Sequence, residues 1–206
     1  MIRTSVKTVT TSGLAEIAGA ELQMCVQSVR NVGHAERLMR LLFSYVVESG
    51  RRIEDGETID RASSLLIADR KSDPTVIALG ELDLDGKTVV PTVDRTVEIW
   101  SAQSELCIAN DVPLSPTRFG SLIAVSPGLL ERADRVEGIR YPATGVMSGW
   151  WLFAAEYDGT ADDFALIKPV HTFDVLRANI ALGKFLGLPT GFAFRTFEHE
   201  ATWYEG

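Results

Sequence analysis

Residue types that carry chemistry are scarce in this sequence. Among 206 residues there are three histidines and two cysteines. No two of His34, His171 and His199 lie at a metal-binding spacing on one helix, and neither cysteine is near any of them in sequence. A zinc site built from His171, His199 and a carboxylate could arise only through the fold. Cys25 and Cys107 sit in apolar helical patterns and read as buried thiols of a reducing compartment. There is no Gly-x-Ser-x-Gly elbow, and Leu188-Pro189-Thr190-Gly191 lacks the glycine spacing of a phosphate loop. These absences leave no catalytic residue, no metal and no cofactor to expect, and the chain reads as a non-enzyme.

Positive charge is also in short supply. Lys and Arg total 20 against 28 Asp and Glu, for a net charge of −8 and a pI near 4.9. Nucleic-acid binding needs a basic stripe, so that class is excluded. The acidity fits an ordinary soluble protein, or one whose partner is basic. No run approaches the roughly 18 apolar residues of a membrane span. The opening Met1-Ile2-Arg3-Thr4-Ser5-Val6-Lys7-Thr8 has no apolar signal-peptide core, so a cytoplasmic location is expected.

What is present is enough apolar residue, 46% with a mean hydropathy of +0.08, for one large domain or two small ones. Ser12 can cap a helix bearing Leu14, Ala18, Leu22, Cys25, Val29 and Val32 on one face, broken at Gly33. A second helix carries Leu38, Leu41, Leu42, Tyr45 and Val46 and stops at Gly50. The two are expected to pack as a hairpin. Short apolar runs follow at Ser64–Ala68 and Thr75–Leu84. Asp85-Gly86 signals a hairpin turn into Lys87–Val90. A third helix carries Val93, Val97, Trp100, Ser104 and Cys107.

Asn110–Pro116, rich in turn formers, is the best linker. Beyond it strands are expected at Ser121–Val125, Gly149–Ala155 and Phe164–Ile167. A fourth helix runs from Thr172 to about Phe185, and closing strands lie around Phe192, Phe194 and Trp203. The expected fold is therefore α+β, with domains at 1–112 and 118–206. The first is a helical hairpin with a small sheet and a further helix. The second is an α+β unit with a mainly antiparallel sheet and one helix. Ser63–Asp69 and Ser148–Ala154 share a pattern that raises an internal repeat.

Glu81-Leu82-Asp83-Leu84-Asp85-Gly86 looks like the first half of a calcium loop, but its twelfth position is Thr92 where a bidentate Glu is needed. A hairpin with outward polar residues is the simpler reading. Three of the four tryptophans fall in the last 57 residues. If Ser148–Trp151 is a strand, Trp150 and Trp151 must point to opposite faces. One fills the core. The other needs a cover, from the same chain or from a partner. With Glu156, Tyr157 and Asp158 beside it, an exposed indole would make an acidic-aromatic binding patch.

At these residues the chain resembles the thirty-third immunity-protein family of bacterial polymorphic-toxin systems, over about Leu122 to Gly206. The resemblance rests on Val125-Ser126, on Gly138-Ile139-Arg140-Tyr141-Pro142, and on Ser148-Gly149-Trp150-Trp151 with Glu156 after it. Leu188-Pro189-x-Gly191-x-x-Phe194 and Trp203 complete it. The family usually has an acidic residue before Ser-Gly-Trp, where this chain has Met147. The resemblance implies a protein that binds a cognate toxin and masks it without turnover. An acidic chain suits a basic, nuclease-like toxin. Arg140, Trp150, Trp151, Glu156, Tyr157 and Asp158 are the candidate partner-binding residues, with Arg140 equally able to serve as an internal ion-pair partner. A homodimer stays open. So do two alternatives: a small-ligand or peptide-binding regulatory module whose pocket holds an indole and His171, and a hydrolase using carboxylates with His171 or His199.

Overall fold

The structure, a computed structural model, describes residues 2–4, 7–70, 73–131, 134–155, 157, 163–197 and 200–203. The chain is α+β and forms two compact units, Met1–Ser101 and Ala102–Gly206. The boundary falls inside a helix, Asp94–Ala109, so each unit owns part of it.

The first unit holds a mixed sheet. Its strands are β1 (Ile2–Thr4), β2 (Thr8–Thr11), β3 (Glu21–Cys25), β4 (Thr58–Arg61), β5 (Ser64–Asp69), β6 (Val76–Leu82) and the short β7 (Val89–Val90). The order is β1-β2-β3-β6-β5-β4, with β7 pairing the end of β6. β3 and β6 run parallel; the other pairs are antiparallel. The helices are α1 (Ala15–Ala18), α2 (Val32–Ser49) and the start of α3 (Asp94–Ala109).

The helical hairpin expected at the N-terminus is absent. Only α2 is a full helix, and the first half of the pair becomes one helical turn followed by β3. Leu14, Ala18 and Leu22 are four apart, and a spacing of four is in phase with both a helix and a strand. Gly19, at φ 84°, ends α1 after a single turn. Beyond it Leu22 and Met24 are buried and their neighbours are not, which is the period of a strand. Glu21 fixes the break. Its carboxylate accepts from the Thr11 hydroxyl and from the backbone N–H groups of Gly13, Leu14 and Ala15. Burial works against that carboxylate, but these hydrogen bonds outweigh it and hold the pKa below the usual value.

The second and third expected helices are present as α2 and α3. Ala35, Leu38, Met39, Leu42 and Val46 form the buried stripe of α2, while Leu41 and Tyr45 are exposed, and Gly50 ends it at φ 63°. The Asp85-Gly86 turn closes the β6–β7 hairpin and is no calcium loop. Asp85 accepts from the backbone of Lys87 and Thr88 and from the Thr88 hydroxyl, and Asp83 pairs with Arg95 at 2.9 Å.

Glu81 is the one buried carboxylate of this unit's described core, 4% exposed. It accepts from the backbone N–H groups of Arg95 and Thr96 and from the Thr96 hydroxyl, capping the N-terminus of α3 from a neighbouring strand. Burial raises its pKa despite Arg95 and these hydrogen bonds. A folded-state value above the unfolded one means the native state holds the proton more tightly. Its contribution to stability is therefore present below the ordinary Glu pKa and is lost as pH rises from there through the raised folded-state value. Glu81→Gln is expected to flatten this part of the stability–pH curve. Glu81→Ala, which strands three donors, is expected to lower stability by about 2–4 kcal/mol in urea denaturation.

The second unit is built on β8 (Leu122–Val125), β9 (Val136–Arg140), β10 (Met147–Ala154), β11 (Lys168–His171), β12 (Phe192–Arg195) and β13 (Glu200–Trp203). Their order is β11-β8-β10-β9-β12-β13. The sheet is mixed, not the mainly antiparallel one expected, because its interior pair β8–β10 is parallel. The expected fourth helix breaks in two. α4 (Thr172–Ala178) ends at Asn179, φ −152°, and the chain resumes as a 3₁₀ helix over Ile180–Gly187. Phe164–Ile167, expected as a strand, overlaps a 3₁₀ turn at Asp163–Leu166.

Asn110–Pro116, the expected linker, lies inside this unit. Ser115 N–H donates to Gly187 O at 2.8 Å and Thr117 N–H to Leu186 O at 3.0 Å, pinning the segment to the 3₁₀ helix. The likeness of Ser63–Asp69 to Ser148–Ala154 also fails to align the two sheets. β5 is an antiparallel neighbour of its sheet's parallel pair, whereas β10 is a member of one.

Candidate partner-binding surface

Ser148-Gly149-Trp150-Trp151 opens β10 at an irregularity. Five residues of β10, Met147 to Trp151, lie against three of β8, Leu122 to Ala124. Gly149 makes this possible. It sits at φ 87°, and a Cβ placed there would overlap the Tyr141 carbonyl oxygen and lie 3.1 Å from its carbon. Tyr141 N–H returns a hydrogen bond to Gly149 O at 2.9 Å. The Ser148 hydroxyl donates to Leu122 O at 2.9 Å, so it stitches the irregular stretch to β8.

The alternation expected of the two indoles is present. Trp150 is fully buried at 0% exposure, with its ring 5.4 Å from Phe194 in an edge contact, and Phe194 stacks on Phe185 at 4.1 Å. Trp151 points to the other face and is partly exposed.

Arg140, expected at the partner surface, is buried beside Trp150, and its Cζ lies 5.6 Å from that ring. Neither residue is placed to touch a partner. The Arg140 guanidinium donates from Nη1 to Ser115 O at 2.5 Å and to Leu188 O. Leu188 caps the 3₁₀ helix Ile180–Gly187, so the cation sits at a helix C-terminus, where the backbone dipole is negative. Leu186 O and Gly187 O are taken by Thr117, Ser115 and Cys107. Burial lowers the Arg140 pKa to about 10, which leaves it charged at neutral pH. The buried Cys107 thiol is pushed up by burial, against the pull of Arg140, and donates to Gly187 O at 3.4 Å. Gly191, at φ 91°, donates to Arg140 O at 2.8 Å. The Arg140, Ser-Gly-Trp and Leu-Pro-x-Gly elements thus meet around the buried side chains of Arg140, Trp150 and Leu188.

The outer face of the sheet carries different chemistry. Trp151 meets Tyr141 edge-on at 6.3 Å, and two residues along β10 Phe153 stacks on Tyr157 at 5.6 Å. Ile139 and Ala193 lie in the same cross-strand row as Trp151, and Glu137 and Arg195, an ion pair at 3.3 Å, share the row of Phe153. Tyr157 is partly exposed; Glu156 and Asp158 lie outside the described residues.

Residues 141–146, which join β9 to β10, are all exposed. Tyr141 is 41% exposed and Val146 68%. From Tyr141 to Ala155 the chain holds no charged residue, although 23% of the whole sequence is charged. An exposed segment without charge has the composition of an interface core, where charge is depleted and aromatics are enriched. Sequence reasoning had Tyr141 in view as part of a motif but missed this loop. The missing charge was the signal that could have found it.

His171 is exposed and stacks on Phe173 at 5.2 Å, while His199 lies outside the described residues. Among the described residues no three His, Cys, Asp or Glu side chains are grouped to hold a metal. No helix among them is long and apolar enough to cross a membrane. A cleft of about 380 Å³ lies against Val125, Leu129, Leu130, Leu166, Lys168 and Val170, and its lining includes neither an indole nor His171.

The second unit is thus a mixed-sheet α+β domain with a buried signature and an uncharged aromatic edge. The Imm33-like domain family matches residues 102–205, half of the chain, and the protein belongs to that family. No curated protein and no solved structure matches it.

Proposed function

We propose that this is an immunity protein, which neutralises a cognate bacterial toxin in the cytoplasm by stoichiometric binding and without turnover. Membership of the Imm33-like family carries the reading. The partly exposed Trp151, held edge-on by Tyr141 at 6.3 Å, supports the second unit as the binding unit. Charge supports a basic, nuclease-like toxin. From Ala102 to Gly206 there are 13 acidic residues against 8 basic ones. Such a surface speeds encounter with a cationic partner and loses that advantage in salt.

The test is co-expression with a candidate toxin domain encoded beside this chain's gene, followed by co-purification. Rescue of growth and a one-to-one complex are the expected results; a wild-type chain that neither rescues nor binds would sink the proposal. Trp151→Ala is expected to weaken the complex by about 10- to 100-fold while leaving the melting temperature almost unchanged. Loss of folding in that variant, seen by circular dichroism, would return Trp151 to the core.

A further inference from the structure

The loop between β9 and β10 gives the proposed complex a shape. All six residues from 141 to 146 are exposed, yet the loop is held firmly. Tyr141 N–H donates to Gly149 O at 2.9 Å, Met147 N–H to Thr144 O at 3.0 Å, and Leu122 N–H to Val146 O at 2.9 Å. Pro142 fixes one backbone angle and Gly145 takes φ 58°. The loop therefore presents Val146 and Tyr141 to solvent with little conformational freedom left to lose. That lowers the entropic cost of docking.

We propose that this loop is an uncharged wedge that enters a concave cleft of the toxin. The inference rests on the immunity reading above and adds which part of the surface blocks the toxin and what receives it. A tip of Tyr, Pro, Ala, Thr, Gly and Val offers no ionic group, so the wall it meets must be uncharged. A cleft lined by unpaired charges would be desolvated without compensation. The unit that carries the wedge has an acidic excess, so the surround of that cleft is basic. The occupant is thus a protein with an uncharged concavity inside a cationic rim. The two contributions separate kinetically. The rim sets the association rate and its salt dependence, and the buried wedge sets the dissociation rate.

Binding kinetics with the toxin domain that co-purifies with the wild-type chain test this. Val146→Asp and the Tyr141→Ala/Val146→Ala pair are expected to raise the dissociation rate at least 100-fold. Their association rate and melting temperature should stay within threefold and two degrees or so of wild type. Raised salt is expected to slow wild-type association and leave dissociation unchanged. A photo-crosslinking benzoylphenylalanine at Val146 is expected to label residues inside the toxin's cleft. If wild type binds but the Val146→Asp dissociation rate is unchanged, or if the crosslinks fall on a flat surface, the wedge is wrong while the immunity reading stands. If no toxin domain co-purifies with the wild-type chain, both fall together.

Discussion

Gly149→Ala is expected to unfold the second unit or leave it barely stable. The position sits at φ 87°, where an alanine is strained in any surroundings. Here the surroundings are also closed. The added methyl would overlap the Tyr141 carbonyl oxygen and lie 3.3 Å from the Ala143 nitrogen. Both are backbone atoms, so no side-chain rotation relieves the clash. Left-handed strain and overpacking together are expected to cost about 3–5 kcal/mol, a large share of a typical domain's stability. Urea denaturation followed by tryptophan fluorescence measures it. Gly145→Ala is the control. That glycine also has positive φ, 58°, but a Cβ there would meet nothing within 4 Å. Its expected cost is about 1 kcal/mol, from backbone strain alone. Equal costs at the two positions would contradict the close approach at Gly149.

Arg140→Ala is expected to be nearly as damaging. The substitution removes a buried cation together with its hydrogen bonds to Ser115 O and Leu188 O. It strips both carbonyls of a donor at the end of the 3₁₀ helix and opens a gap beside Trp150. A loss of about 3–5 kcal/mol is expected, with the denaturant slope unchanged. Arg140→Lys should recover part of it, since a lysine keeps the charge but has no planar fork to span two carbonyls. Were Arg140 a partner contact instead, Arg140→Ala would leave stability alone and weaken toxin binding. The two readouts therefore decide between the roles left open for it by the sequence.

The contrast between Arg140 and the indoles shows where sequence reading reaches. Two adjacent tryptophans in a strand must diverge, because alternation is a property of the strand itself. That local rule was enough to place one inside and one outside. It did not say which, since that depends on which face meets Phe185 and Phe194. Arg140 was beyond reach for a different reason. Its partners are backbone carbonyls brought together from residues 115 and 188, and a carbonyl carries no sequence signal. Leu14, Ala18 and Leu22 misled because their spacing fits two periods at once, and Gly19 and Glu21 settle the choice through contacts that form only in the fold. α2 and α3 were legible because their apolar stripes run for four turns or more. The parallel pairs β3–β6 and β8–β10 were not, since nothing local distinguishes a strand with a parallel neighbour from one with two antiparallel neighbours.

The β9–β10 loop has one more consequence, for how such a protein can change. Its six residues are exposed, and the residues that hold the unit together, Gly149, Trp150 and Arg140 among them, are buried elsewhere. Most substitutions draw down a narrow reserve of stability, which limits how many a domain can accumulate. On the proposed reading, the positions that would meet a toxin are largely separate from those that maintain the reserve. New variants of the tip can therefore be sampled at little risk to folding. If the loop is the toxin-binding element proposed above, a lineage facing altered toxins can follow them by rewriting a few codons on an unaltered scaffold.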